Sequence, residues 1–423
     1  MKYGPKNLRI SYGGKALTHF GGVFLVYQFF KKMRLRTLIK DALRFPQRNN
    51  RYSLPEMILA LMYPMMLGLG RIETSHLLKR NGVFQYLTGL SAYPNPTALR
   101  RFLLRLPPQC LLQLRKLHEW LLSRLILKPW PPTSFLFDLD STVLTLYGKQ
   151  EGAKVGYNPK KRGRPSYHPL VCFEAHTKDF WHGELRPGDV HTGRGAVELL
   201  RACFSKLPAS AQRVRVRGDV GFYDHVTIEY LEEKRAGYII VAKITPPLQR
   251  SIPHRRFREI APGLAVAEFR YQPLHWKAPH RFIAIRKTLP EDEPTAQLSL
   301  FTVERYSYHL FVTNLSLWPE NAWRFYNGRA GVERIIRELK EDYPLAKIPT
   351  RDFQANEVYF HLLLLGYNFM NWFKRFCLPK DFHHSTVKTL REKLLVVPAE
   401  LVRPGKRPTL KLPATFLYRE AFD

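Results

Sequence analysis

Acidic residues are scarce. In 423 residues, 35 Asp and Glu stand against 67 Lys and Arg, a formal net charge of +32. Such an excess costs self-repulsion unless a polyanion neutralises it, which points to nucleic acid as a partner. Cysteine is scarcer still. The four, Cys110, Cys172, Cys203 and Cys377, lie far apart with no C-x-x-C spacing. That argues against a zinc site and a disulfide framework and fits a reducing cytoplasm. Long apolar runs are missing as well. MILALMYPMMLGLG and YFHLLLLGYNFMNWF fall short of the about 18 residues of a membrane span and carry Pro, Gly, His or Asn, so they read as buried helices. The opening MKYGPKNLRISYGGKALTHF has no signal-peptide apolar core. What is present, 45% hydrophobic and 24% charged residues, is a globular composition long enough for two or three domains.

Taken in order, residues up to 128 read as helices. SLPEMILALMYPMMLGLG opens with Ser53 as N-cap and Pro55 close behind. In PNPTALRRFLLRLPPQ the helix is expected to begin at Thr97, whose hydroxyl can cap it, with Arg100, Arg101 and Arg105 on one side. Short helices with a basic last member suit a helix-turn-helix-like DNA-binding module. A Pro-rich break follows, and SFLFDLDSTVLTLYG then alternates cleanly. Phe135, Phe137 and Leu139 point one way, and Leu136, Asp138 and Asp140 the other. Two acids on one face of a central strand are expensive unless a cation meets them. The loop GKQEGAKVGYNPKKRGRPSYHP is densest in charge at Lys160, Lys161, Arg162 and Arg164, a run that suits DNA-backbone contact. A hairpin turning near Lys178, a helix, and the strand RVRVRGDVGFYD follow, with Asp219 at that strand's C-terminal end, a natural place for a site on an open sheet. A helix, the β segment YIIVAKI, and a mostly β stretch ending at YHLFVTNL come next.

NAWRFYNGRAGVERIIRELKEDY, from Asn321 to Tyr343, reads as one amphipathic helix with no proline. On a wheel turning roughly 100° per residue, Val332, Ile335, Ile336 and Leu339 form an apolar stripe. Beside it lie Tyr326, Arg329, Glu333, Arg337 and Lys340. A lone carboxylate among cations suits metal holding flanked by phosphate grips; a solvated face with ordinary ion pairs is the bland alternative.

This ordering resembles a family. Tyr326, Arg329, Glu333 and Lys340 match the Y-R-E-K signature of bacterial insertion-sequence DDE transposases at every spacing. DLDST at Asp138–Thr142, RGDVGF at Arg217–Phe222, GKQEGA at Gly148–Ala153 and FVTNL at Phe311–Leu315 look like that group's other motifs. The similarity covers roughly residues 130–375. It implies an α/β protein with a ribonuclease H-like mixed-sheet core, a β-rich insertion and a preceding α-helical DNA-binding region. The expected divisions are 1–128 (DNA binding), 129–245 (core, first part), 246–316 (insertion), 317–376 (core, second part) and 377–423 (basic tail).

Carried over residue by residue, the resemblance makes Asp140, Asp219 and Glu333 the metal-binding catalytic triad. Asp140 is preferred to Asp138 because a small hydroxyl residue usually follows the family's first acid, here Ser141 and Thr142; a structural pairing with Arg or Lys is the alternative role for Asp138. Tyr326, Arg329 and Lys340 would hold phosphates, with Arg337, Arg100, Arg101 and the 160–164 run as further DNA contacts. Trp276 could stack on an end-proximal base, although a Trp in a β segment is more often core. Two Mg²⁺ ions, with Mn²⁺ as a substitute, would prepare the oxygen nucleophile and relieve charge on the leaving oxygen. The implied partners are element terminal repeats and target DNA, bound by a homodimer or higher oligomer in a bacterial cytoplasm, with no membrane and no small-molecule substrate. A metal-dependent nuclease of the same fold and a non-catalytic DNA-binding derivative are the competing readings.

Overall fold

The computed structural model describes residues 16–45, 51–126, 132–289, 301–303 and 306–422. The first 15 residues and most of the Pro-rich break expected after residue 126 lie outside the described residues. The chain divides into two compact units, residues 1–110, 342–349 and 369–423 in one and residues 111–341 and 350–368 in the other.

The first unit is helical. Its longer helices are α1 (Val23–Lys32), α2 (Leu35–Ala42), α3 (Leu54–Met66), α4 (Gly82–Thr88) and α5 (Pro96–Arg105). Every residue of α3 is buried. Its start is fixed by a capping box, in which the Ser53 hydroxyl accepts from the Glu56 N–H while the Glu56 carboxylate accepts from the Ser53 N–H. Helix α5 begins one residue before the expected Thr97. Asn95 is its cap, accepting the Ala98 N–H at 2.8 Å, because Pro96 presets the first helical position. The C-terminal segment, expected as a basic tail, folds with these helices. Arg391 donates to the carbonyls of Met65 and Met66, satisfying the end of α3. Leu17–Thr18 pairs with residues 399–400, and Phe369 packs against Phe29 and Phe30.

The second unit is built on a ten-stranded mixed sheet. Its chain order starts with α6 (Pro108–Ile126, shared at its first turn with the other unit) and β1 (Ser134–Ser141). Next come short strands β2 (Leu144–Thr145), β3 (Lys154–Val155) and β4 (Pro165–Tyr167), which make a separate three-stranded sheet in the order β2-β4-β3. The hairpin β5 (Leu170–Glu174) and β6 (Phe180–Glu184), helix α7 (Ala196–Phe204), β7 (Arg213–Gly218), α8 (His225–Glu233) and β8 (Gly237–Val241) follow. Strands β9 (Arg258–Ala261), β10 (Leu264–Tyr271), β11 (His280–Thr288), β12 (Phe301–Val303) and β13 (Tyr306–Thr313) come next. Helices α9 (Pro319–Asn327), α10 (Ala330–Glu341) and α11 (Phe353–Cys377) follow, the end of α11 belonging to the first unit.

The large sheet runs β9-β10-β11-β13-β8-β7-β1-β5-β6, with β12 on β13. Strands β1, β7 and β8 are mutually parallel, and the remaining pairings are antiparallel. The stretch expected as a β-rich insertion is continuous with the core sheet. Phe311, Val312 and Thr313 of β13 pair with Val241, Ile240 and Ile239 of β8.

Strand β1 is central and buried on both faces. Phe135 and Phe137 pack on Trp181, and Phe137 also reaches Phe204 of α7. That leaves Asp138 and Asp140 on the opposite face, two charges inside a sheet that must find partners.

The single helix expected over Asn321–Tyr343 is two helices. Helix α9 ends at Asn327 and α10 starts at Ala330, so a continuous helical wheel does not apply across Gly328. The cause is steric and electrostatic. A Cβ on Gly328 would stand 2.5 Å from Arg217 Nη1, and that nitrogen donates to the Phe325 carbonyl at 2.6 Å. A strand arginine thus takes the place of the next turn of helix.

Candidate active site

The two acids of β1 have separate fates. Asp138 is matched by Arg217 on the neighbouring parallel strand, in register with it. Arg217 Nε donates to Oδ1 at 2.6 Å and Nη2 to Oδ2 at 2.8 Å, both residues being buried. With a third hydrogen bond, to the Phe325 carbonyl, each nitrogen of this guanidinium has a partner, and Asp138 is one half of a buried ion pair.

Asp140, two residues on, faces the start of α10. Its Oδ1 accepts the Ser141 N–H at 2.7 Å, and Arg329 Nη2 lies 3.2 Å from Oδ2. The same Nη2 is 3.8 Å from Asp219 Oδ2 and donates to the Leu139 carbonyl at 2.9 Å; Arg329 Nη1 is 3.6 Å from Glu333 Oε1. Asp219 follows the last residue of β7 and is fixed by the Gly221 N–H on Oδ1 at 2.9 Å. Glu333 lies in the first turn of α10 with its side chain 68% exposed. Three elements distant in sequence thus bring three carboxylates to one guanidinium.

The burial gradient across the three acids sets their electrostatics. Burial pushes the Asp140 carboxyl up to about 6 against the pull of Arg329, with repulsion from Asp219 and Glu333 added. Burial also opposes the charge on Arg329, but Asp140, Tyr326 and Asp219 overcome it and hold the cation more firmly protonated than usual. Arg329 Nε is buried without a hydrogen-bond partner. Arg329, one of the residues expected to hold a phosphate, lies here among the three acids.

Tyr326 and Lys340 lie beside this core. Tyr326 packs on Phe311 at 4.7 Å, and burial pushes its phenol up to about 12, so it remains a hydrogen-bond donor. Lys340 Nζ donates to the Val143 carbonyl at 3.0 Å; burial and the nearby Lys160 lower its pKa, while Asp140 raises it. Arg337 and the run Lys160, Lys161, Arg162 and Arg164 are exposed. Trp276 lies in the turn between β10 and β11, 5.3 Å from Tyr223 and edge-on to His280, on the wall of a cavity of about 580 Å³. In the other unit, Arg101 is exposed, whereas Arg100 is engaged by Glu73 and the Pro349 carbonyl.

Residues that the sequence reading did not single out complete the setting. His168 is buried, with Nδ1 3.0 Å from the Val190 carbonyl, so that nitrogen carries the proton and Nε2 accepts from the Ser141 hydroxyl at 3.1 Å. Arg217 stood out in the sequence only as the first residue of RGDVGF. Nothing in the sequence marked His168.

Among the described residues, no three His, Cys, Asp or Glu side chains stand close enough together to hold a metal ion as placed. The cation that the three acids share is Arg329 itself.

The sequence model of the family described as "Transposase DDE domain group 1" matches residues 2–423. No curated protein sequence matches the chain. Among solved structures the chain is similar to the cryo-EM piggyBac transposase synaptic complex with hairpin DNA. The identity is 10% over 89% of this chain and 84% of that chain, with a TM-score of 0.41. It is also similar to the crystal structure of the Mos1 mariner paired-end complex with Mn, at 14% identity over 50% of this chain and 65% of that chain, with a TM-score of 0.18.

Proposed function

The chain belongs to the family of DDE transposases, and from that premise we propose that it cuts DNA at the ends of a bacterial insertion sequence and joins the freed 3′-hydroxyls to target DNA. Asp140, Asp219 and Glu333 are the acid triad of a ribonuclease H-like core in this reading. The observation that carries it is the meeting of these three acids on one buried guanidinium. Arg101, in the helical unit, and the 160–164 run supply phosphate contacts, and a homodimer or higher oligomer pairs two ends.

The donor chemistry suits a hard divalent cation: three carboxylates converge on one positive charge, two of them reachable from solvent, and to hold a metal they would have to draw closer than they stand. Asp140, Asp219 and Glu333 would hold it, as Mg²⁺ or Mn²⁺ and as a pair of ions. When bound, such ions supply Lewis acidity to the attacking and leaving oxygens of an in-line displacement. The protein's own residues do the rest. Ser141 N–H and Gly221 N–H fix the two aspartates, Lys340 keeps a cation beside Asp140, and Tyr326 offers a protonated phenol.

The decisive assay supplies a pre-cleaved end with a free 3′-hydroxyl, a target plasmid and Mg²⁺. Joined product is expected. Cleavage without joining would favour the nuclease, and binding without either step the non-catalytic derivative.

Two further results are expected of the site. Arg329→Gln removes the competing cation and should tighten Mn²⁺ binding roughly tenfold, read by electron paramagnetic resonance of free Mn²⁺. Unchanged or weaker binding would show that Arg329 does not compete. The second concerns pH. The folded pKa of Asp140 is raised from 3.8 to about 6, so its contribution to stability is full when protonated and is lost as pH rises through about 6. Without metal, the melting temperature should fall between about pH 4 and about pH 6 and level off above that, and Asp140→Asn should flatten that slope. A wild-type slope retained in the variant would assign the titration elsewhere.

A further inference from the structure

The loop between β1 and β4 exposes more than charge. Tyr147 is 72% exposed, Tyr157 71% and Val155 57%, all on or beside the small β2-β4-β3 sheet. Exposed single apolar residues are ordinary. Two open rings among six exposed cations (Lys149, Lys154, Lys160, Lys161, Arg162 and Arg164) are less so. Lys161 Nζ and Arg164 Cζ each lie 5.9 Å from the centre of the Tyr147 ring.

This segment is tethered at several points. The Glu151 carbonyl accepts from the Tyr167 hydroxyl at 2.6 Å, and the Glu151 N–H donates to the Arg351 carbonyl at 2.8 Å. Asn158 is buried, donating to Thr145 Oγ1 at 3.1 Å and accepting the Lys161 N–H at 3.1 Å. Gly156 has no room for a side chain, since a Cβ there would stand 2.0 Å from the Gly188 carbonyl oxygen. Tethering on this scale would be unnecessary for a loop serving only as a diffuse patch of charge. The face also adjoins the acids: Lys340, which senses both Asp140 and Lys160, is bonded to Val143, the residue before β2.

We propose that Tyr147 and Tyr157 form a stacking platform for unpaired nucleotides of the DNA end being processed, with the surrounding cations on its phosphates. The proposal rests on the transposase reading above. The chemistry selects the ligand. Duplex DNA hides its base faces and needs only the cations, whereas an unpaired base presents a π-face that a fixed ring can meet. Charge complementarity and continuity with the acid cluster both favour nucleic acid over a protein partner.

The test compares binding, by fluorescence anisotropy without divalent metal, of one random-sequence duplex in blunt form and with a short single-stranded 3′ overhang carrying 2-aminopurine. Wild type is expected to prefer the overhang and to quench the 2-aminopurine. Tyr147→Ala combined with Tyr157→Ala should weaken overhang binding about tenfold or more and abolish quenching, with blunt-duplex affinity within about twofold. Phe at both positions should restore both signals, and Lys161→Ala combined with Arg164→Ala should weaken both DNAs alike. If wild type binds both DNAs equally and the Ala pair changes neither, the platform is refuted while the DNA reading stands. If wild type binds neither, both fall.

Discussion

Asp140→Asn and Glu333→Gln are each expected to lower cleavage and joining by roughly a thousandfold or more, because each removes a charge that acts as part of one unit with the other two acids. Both should fold normally. Glu333 is 68% exposed on its helix, and neutralising Asp140 relieves the cost of its buried charge rather than adding to it. Asp138→Asn is the informative contrast, since it leaves Arg217 buried without its anion. It should lower the melting temperature, yet retain joining per folded molecule when assayed well below the transition. Joining and melting measured on the same preparations separate the two effects. Loss of joining in Asp138→Asn at unchanged stability, with Asp140→Asn still active, would transpose the first triad position.

That distinction was only half legible in the sequence. Period-two alternation put Asp138 and Asp140 on one face of a strand, and the flanking Phe and Leu residues marked the strand as buried. Which acid meets which cation depends on the parallel register of β1 on β7, a pairing across 79 residues that no local pattern encodes. The helix carrying Glu333 illustrates the opposite failure. Its composition is helical throughout, and Gly328 costs an isolated helix only about 1 kcal/mol, so a continuous helix was the local expectation. The break comes from a strand arginine that occupies the missing turn. The same break redirects Arg329 from a surface stripe into the acids, where the wheel gave no reason to put it. The β stretch before that helix was legible as strands, but not as an extension of the core sheet, because edge and centre strands of this kind share one composition. The small hydroxyl after Asp140 was noted, whereas its use by His168 needed the fold.

Arg217→Ala is expected to destabilise the second unit by about 3–5 kcal/mol, the usual cost of leaving one member of a buried ion pair uncompensated. The loss has two parts. Asp138 would be left among Phe- and Leu-rich strands with no cation, and the Phe325 carbonyl at the end of α9 would lose its donor. Chemical denaturation followed by tryptophan fluorescence would read the change, with or without divalent ions, because Arg217 contacts none of the three convergent acids among its hydrogen bonds. Replacing the pair together, Asp138→Leu with Arg217→Met, should recover much of the loss, since an apolar pair of similar volume carries no desolvation cost. The double variant would still lack the donor to Phe325, and this residue separates two roles that a single substitution confounds. If stability returns but joining does not, Arg217 serves chemistry by holding the junction between α9 and α10, and with it the placement of Arg329 and Glu333. A cost below about 1 kcal/mol for Arg217→Ala would instead mean that water reaches Asp138 and the pair is not buried in solution.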